Sequence, residues 1–426
     1  MESVAELHKL IDELSFAIES LEKRRSDARR ALNSKLDPVA RLPLELSTEI
    51  FMLCTPTFPR PVSAEEPLKF LQVCRLWREI AITCPSLWTG IQINEPTDAQ
   101  FYEACSNWLE RARPLPLSIS LHKFVDEPME GLLKRFAGQI GRLELYIPND
   151  TSLYNVEQQG PFPSLQTMTI RYSKEANEDS EMSDDSDSVD VFRDSIIDLL
   201  LAAPSLVECN FHLIQYATNL ERDREVHTSL RHLRLGMPSA GYHPSRSSAK
   251  ILLYLKLPAL ETLHLANVDI SPGDFVSFFS ESGCAATLQA LHMTNAAEWP
   301  PFSRELLSLC FRPFAALKTL EFFHGDFRVL SEVLSSVQDL LPNLNHLLLH
   351  GYRYFGSREN PSDWKALLDM LLSRGTARNG SLQSVKAVCM TLPTETDLDL
   401  DVLLRFRELV KEGMSIHIGT RYKNLV

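Results

Sequence analysis

The sequence predicts an α/β chain in three parts: an N-terminal helix, a small three-helix module, and an irregular solenoid of alternating strands and helices. Three observations carry this expectation. Apolar side chains recur at heptad spacing over residues 4 to 32. Two apolar helical stretches flank a proline-rich loop between residues 38 and 93. From about Trp88 onward, a strand-like alternation returns mostly every 24 to 31 residues.

Composition narrows the classes. At 426 residues the chain exceeds one compact core, and its 44% hydrophobic and 23% charged residues are ordinary for a globular protein. No stretch approaches the ~20 apolar residues of a membrane helix, and residues 1 to 35 lack the apolar segment of a signal peptide. A cytoplasmic or nuclear protein without membrane contact is therefore expected. The eight cysteines form no C-x-x-C pair and no zinc-spaced cluster, which predicts reduced thiols, no metal and no disulfide framework. A net charge of −13 argues against nucleic acid as a partner. Eight acidic side chains and no Lys or Arg fall within residues 175 to 190, so the acidity is local. Residues 174 to 190 read as a solvated, disordered insert.

The first part, residues 1 to 36, places Val4, Leu7, Ile11, Leu14, Ile18 and Leu21 at steps of three and four. Arg25 interrupts the seam before Ala28 and Leu32. Three heptads fit either a coiled coil, with a homodimer through residues 4 to 32, or a single helix laid on its own domain; both readings stay open. Asp37-Pro38 should end it, because proline disfavours α geometry in the residue before it.

In the second part, residues 38 to 93, Pro43 suits a first helical turn and predicts a helix to about Leu53. "TPTFPRPVSAEEP" has four prolines in thirteen residues and cannot be regular. "LKFLQVCRLWREIAITCPSLW" then repeats apolar residues at helical spacing and fits two short helices, breaking at or before Pro85.

The third part, residues 94 to 426, repeats L-x-x-L-x-L as "LQTMTI", "LVECNF", "LRHLRL", "LETLHL", "LQALHM", "LKTLEF", "LNHLLL" and, more weakly, "LQSVKA". Two longer steps, of 41 and 38 residues, interrupt the period, and removing the acidic insert restores the first of them. Helical patterns such as "VFRDSIIDLLLAAP", "SSAKILLYLKLP" and "DWKALLDMLL" lie between the strands. One strand and one helix per repeat is the signature of a leucine-rich-repeat horseshoe, in which each unit buries its apolar edge against the next.

"LPLELSTEIF" and "VCRLWREIA…CPSLW", in that order, resemble the F-box, a three-helix module with the pattern L-P-x-E-[LI], I-[FL], V-C-[KR]-x-W and a terminal L-W. With the heptad helix and the repeats, the arrangement is similar to fungal F-box-like proteins of the basidiomycete type. The resemblance implies that Leu42, Pro43, Leu46, Ile50, Val73 and Trp77 dock a Skp-family adaptor, and through it a cullin. Leaving apolar side chains exposed for a partner is a consistent use for so small a module.

Signatures of catalysis are absent: no G-x-G-x-x-G, no P-loop, no G-x-S-x-G and no H-E-x-x-H. His264 and His292 recur at equivalent strand positions, but no motif completes a metal or catalytic set around them. Period-2 alternation instead defines a polar row expected on the concave face: Thr169, Asn210, Arg234, His264, His292, Glu321, Leu348 and Lys386. Such a strip suits recognition of a protein. The expected function is that of a non-catalytic substrate receptor in a Skp–cullin–F-box ubiquitin ligase, with no cofactor and an unidentified protein substrate. The alternative is a scaffold or regulator of the same build acting outside a ligase.

Overall fold

The computed structural model describes residues 4–61, 65–94, 99–122, 127–147, 156, 158, 160–172, 196–212, 224–236, 247–266, 268–294, 304–323, 327–337, 339–351, 361–375, 382–389, 398–420 and 422–426. The acidic insert lies outside them. The chain is mixed α/β and divides into two compact units. The first holds residues up to Ile93 and Thr97–Ile119; the second holds Asn94–Pro96 and everything from Ser120 onward. The first unit thus runs past Trp88 and Ile93 to take in a further helix and most of a strand.

In the first unit, helix α1 (Val4–Leu36) ends before Pro38, and α2 (Leu44–Cys54) starts directly after Pro43. The stretch after the proline-rich loop breaks into α3 (Phe70–Val73) and α4 (Arg75–Thr83). The break is Cys74, whose extended backbone (φ −156°, ψ 174°) interrupts the helical hydrogen bonding well before Pro85. A 3₁₀ turn at Pro85–Trp88 leads to a strand at Gly90–Ile93, then to α5 (Ala99–Arg111) and a strand at Leu117–Leu121.

Trp88 is fully buried at the centre of this unit. Its indole N–H donates to the Ala81 carbonyl at 2.8 Å, its ring meets Trp108 edge-on at 5.0 Å, and the Arg111 guanidinium lies 4.5 Å above it. The strand beside it is pinned to the proline-rich loop, where the Gln92 N–H donates to the Pro59 carbonyl at 2.9 Å. That approach requires glycine at position 90, since a Cβ there would lie 2.1 Å from the Thr57 carbonyl oxygen. Gly90→Ala should therefore cost about 1–3 kcal/mol, the usual range for overpacking. Thermal unfolding would register it as a lowered midpoint.

In the second unit, ten strands from Ile140–Ile147 to Ser415–Gly419 lie in the order in which the chain makes them. Every pairing whose register is given along this ladder is parallel. The leucine pattern supplies the core. The first residue of each motif (Leu165, Leu206, Leu230, Leu260, Leu288, Leu317, Leu344, Leu382) is buried, as are the two strand residues that alternate after it. Parallel strands need covered connections, and helices at Pro272–Ser282, Arg304–Phe311, Phe327–Ser336, Pro361–Gly375 and Leu400–Lys411 supply them. One expected helix is different: "SSAKILLYLKLP" forms a short strand, a 3₁₀ turn at Ala249–Tyr254 and a second short strand at Leu255–Lys256. Ala249, Ile251, Leu252, Leu255 and Leu257 are all buried there, so burial on several sides overrides the single apolar stripe an α-helix would present. Among the described residues, no helix is long and apolar enough to cross a membrane.

Candidate functional site

The first candidate surface lies on α2 and the α3–α4 pair. Residues 46, 50 and 53 are spaced by three and four, so they share one side of the helix. That side faces water: Leu46, Ile50 and Leu53 are exposed, with Leu46 at 46% and Ile50 at 41%, and Leu42 is exposed in the extended segment just before the helix. Pro43 is exposed beside them, and Val73, Leu76 and Ile82 are exposed on α3 and α4. Several large apolar side chains left in water on so short a segment make this a candidate interaction surface.

An adjoining side of α2 is packed. Ser47 is fully buried, and its hydroxyl donates back to the Pro43 carbonyl at 3.2 Å. Phe51 is 1% exposed, stacks on Phe70 at 4.3 Å and meets Trp77 at 4.9 Å. Of the six residues expected to dock an adaptor, Leu42, Pro43, Leu46, Ile50 and Val73 are exposed, whereas Trp77 is half-buried beneath them. Its indole N–H donates to Asp37 Oδ2 at 2.7 Å, while Asp37 Oδ1 accepts from the Val39 N–H at 2.9 Å. Asp37 thereby joins the end of α1 to α4. Sequence reasoning saw in it only the residue before a helix-ending proline, because its partner lies forty positions away. Asp37→Ala removes both bonds and strands the Trp77 N–H, an expected loss of about 1–3 kcal/mol in a denaturant titration.

The second candidate surface is the polar row of the second unit. Thr169, Asn210, Arg234, His264, His292, Glu321, Leu348 and Lys386 are successive register partners, each beside the next. Glu144 precedes Thr169 and His417 follows Lys386 in the same row. All eight expected residues thus come together in a single line.

The electrostatics of that line centre on Glu321. Its two carboxylate oxygens accept from His292 Nδ1 at 2.7 Å and from His350 Nε2 at 2.8 Å. Accepting from both fixes the tautomer of each ring. Burial alone would raise the Glu321 pKa, but the two imidazole hydrogen bonds overcome it and hold the carboxyl at about 2. His264 lies face to face with His292, with ring centroids 3.8 Å apart. Burial first, then His292 and Arg234, drive the His264 pKa down to about 3. His212 is lowered to about 4 by burial and by Arg171 and Arg234. Burial thus holds His264 in the row, and His212 two residues beyond it, towards the neutral form, beside the ionised carboxylate of Glu321. His350, absent from the expected row, sits two residues beyond Leu348 on the same strand face; its register partner is Phe323, and its side chain reaches diagonally to Glu321.

Among the described residues, no group of three or more His, Cys, Asp and Glu is arranged to hold a metal ion. Cys54, Cys74, Cys84, Cys105, Cys209, Cys284 and Cys310 are free thiols, the last five of them buried. No protein-family model matches the chain, and no curated protein matches it.

Proposed function

We propose that the chain is the substrate-receptor subunit of a Skp–cullin–F-box ubiquitin ligase acting in the cytoplasm or nucleus. The exposed face of α2 with Val73 docks the adaptor, and the polar row holds a protein substrate. The observation that supports this most is the division of α2 into two sides. The motif residues Leu46 and Ile50 stand in water, with Leu42 exposed just ahead of the helix, while Ser47 and Phe51 turn inward. A helix needed only to pack its own module would not leave the motif side bare. On this reading the chain makes and breaks no bonds. It raises the local concentration of substrate lysines near a ubiquitin-loaded conjugating enzyme.

The test is direct binding of the full chain to a purified Skp-family adaptor, followed by recruitment of the cullin. Formation of the three-part complex supports the proposal. No adaptor binding overturns it, and adaptor binding without the cullin assigns the chain to the scaffold class instead.

A further inference from the structure

The face of the sheet that carries the polar row holds two arginines for which the described chain supplies no counter-charge. Arg171 lies on the strand Thr167–Tyr172 and Arg234 on the strand His232–Gly236, with the strand Glu208–His212 between them. Arg171 is the register partner of His212, and Arg234 is the partner of Asn210, two residues earlier on that middle strand. Alternation puts all these side chains on one face. The two arginines therefore flank His212 from its neighbouring strands.

The carboxylates of this face are engaged with other groups. Glu144 pairs with Arg142 at 2.6 Å, Glu208 accepts from the Asn210 amide at 3.0 Å, and Glu321 is held between His292 and His350. Among the described residues, neither Arg171 nor Arg234 forms an ion pair or a hydrogen bond. The Arg171 guanidinium lies 5.3 Å above the Tyr146 ring, a contact that leaves its charge in place. Arg171 Nε and His212 Nδ1 are buried nitrogen atoms without a hydrogen-bond partner. Burial first, then both arginines, lower the His212 pKa, so the two positive fields meet at that ring. Charge left uncompensated in this way raises the energy of the free chain and favours an anion that completes it. Arg171, His212 and Arg234 are each partly exposed, so the cluster meets solvent.

We propose that this part of the row docks an acidic segment of the protein substrate, with one side-chain carboxylate on Arg171 and another on Arg234. The spacing favours two carboxylates over one compact dianion. The strands that bear the arginines are two inter-strand steps apart, about 10 Å. Alternate residues of an extended peptide lie about 7 Å apart on one face, and the long arginine stems span the difference. Each guanidinium offers a carboxylate two parallel N–H donors. The proposal rests on reading the row as the substrate surface and is independent of what α2 docks.

The probe is a fluorescent peptide of alternating Glu and Ser, titrated into the full chain alone and followed by polarisation. Saturable binding that weakens as salt is raised is expected, with none for a peptide of alternating Gln and Ser. Arg171→Gln and Arg234→Gln should each weaken it by at least about tenfold, as loss of a charge-assisted pair would. Lys134→Gln, at an exposed lysine of the helix Glu127–Phe136, should leave it unchanged. Arg234 has no described partner to lose, so Arg234→Gln should leave the thermal midpoint unchanged or raised; a lowered midpoint would make the loss structural and overturn the assignment. No binding up to about 1 mM peptide overturns the proposal, as does binding that survives both glutamine substitutions. Tighter binding of a peptide with a single phosphoserine in place of the glutamates would assign one dianion and overturn it too. So would a chain that binds only after the acidic residues between 175 and 190 are made neutral, since the arginines would then have an internal partner. Adaptor and cullin recruitment are measured separately. A three-part complex that forms while the peptide fails rejects this substrate class and keeps the ligase reading.

Discussion

Leu46→Asp combined with Ile50→Asp is expected to abolish capture of a Skp-family adaptor while leaving the chain folded. Both side chains are roughly half exposed, so in the free protein the new carboxylates stay in water. The cost there is mainly helix propensity, about 0.5 kcal/mol per residue. In a docked complex the same carboxylates would be stripped of water without partners, which costs several kcal/mol. Two such penalties weaken binding by more than about a hundredfold, measured by calorimetry. Phe51→Ala is the necessary contrast. Phe51 is buried against Phe70 and Trp77, and its truncation should cost about 3–5 kcal/mol of stability, so any binding it loses is lost through the fold. If the double aspartate variant binds the adaptor as the wild type does, the α2 face is not the docking surface.

That prediction rests on residues whose position was legible in the sequence. Pro43 marks where α2 begins, and the spacing of Leu46, Ile50 and Leu53 puts them on one side. Periodicity could not say which side faces water, because both carry apolar residues; only the packing of Phe51 on Phe70 decides it. The polar row was legible for a different reason. One L-x-x-L-x-L per repeat fixes the phase of each strand, and parallel pairing aligns equivalent positions, so Thr169 through Lys386 fall in line.

What could not be read depends on long-range contact. Nothing local to Asp37 announces a bond to Trp77, and nothing local to α5 announces that Trp108 closes over Trp88. The turn at Ala249–Tyr254 is a related case. Its apolar residues are dense enough for a helix, but burial on more than one side selects a tighter path. Local pattern finds elements reliably where one face is buried and one is wet, and fails where both are buried.

The second large effect expected is loss of stability in mild acid, arising at His264 in the polar row and at His212, two residues beyond it. His264 and His212 have folded pKa values of about 3 and about 4, below the ordinary 6.5 they recover on unfolding. A histidine lowered in this way favours the fold while neutral. Its contribution is complete above pH 6.5 and drains away as pH falls through 6.5 towards the folded value, because only the unfolded chain takes up the proton. His122 and His227 are also lowered, chiefly by burial, and add in the same direction. Glu321 acts in a lower window: held at about 2 against an ordinary 4.5, its contribution is present above pH 4.5 and is lost as pH falls towards 2. Between pH 6.5 and 4.5 the histidines therefore dominate, and His264 and His212 should each steepen the loss by about 1 kcal/mol per pH unit. Urea midpoints measured across pH 4.5 to 7.5 would show that slope. In a chain carrying His264→Gln and His212→Gln the slope should flatten by about 2 kcal/mol per pH unit in that window. An unchanged slope in the double variant would mean that these rings accept protons in place, and that the stack of His264 on His292 opens in acid without cost to the fold.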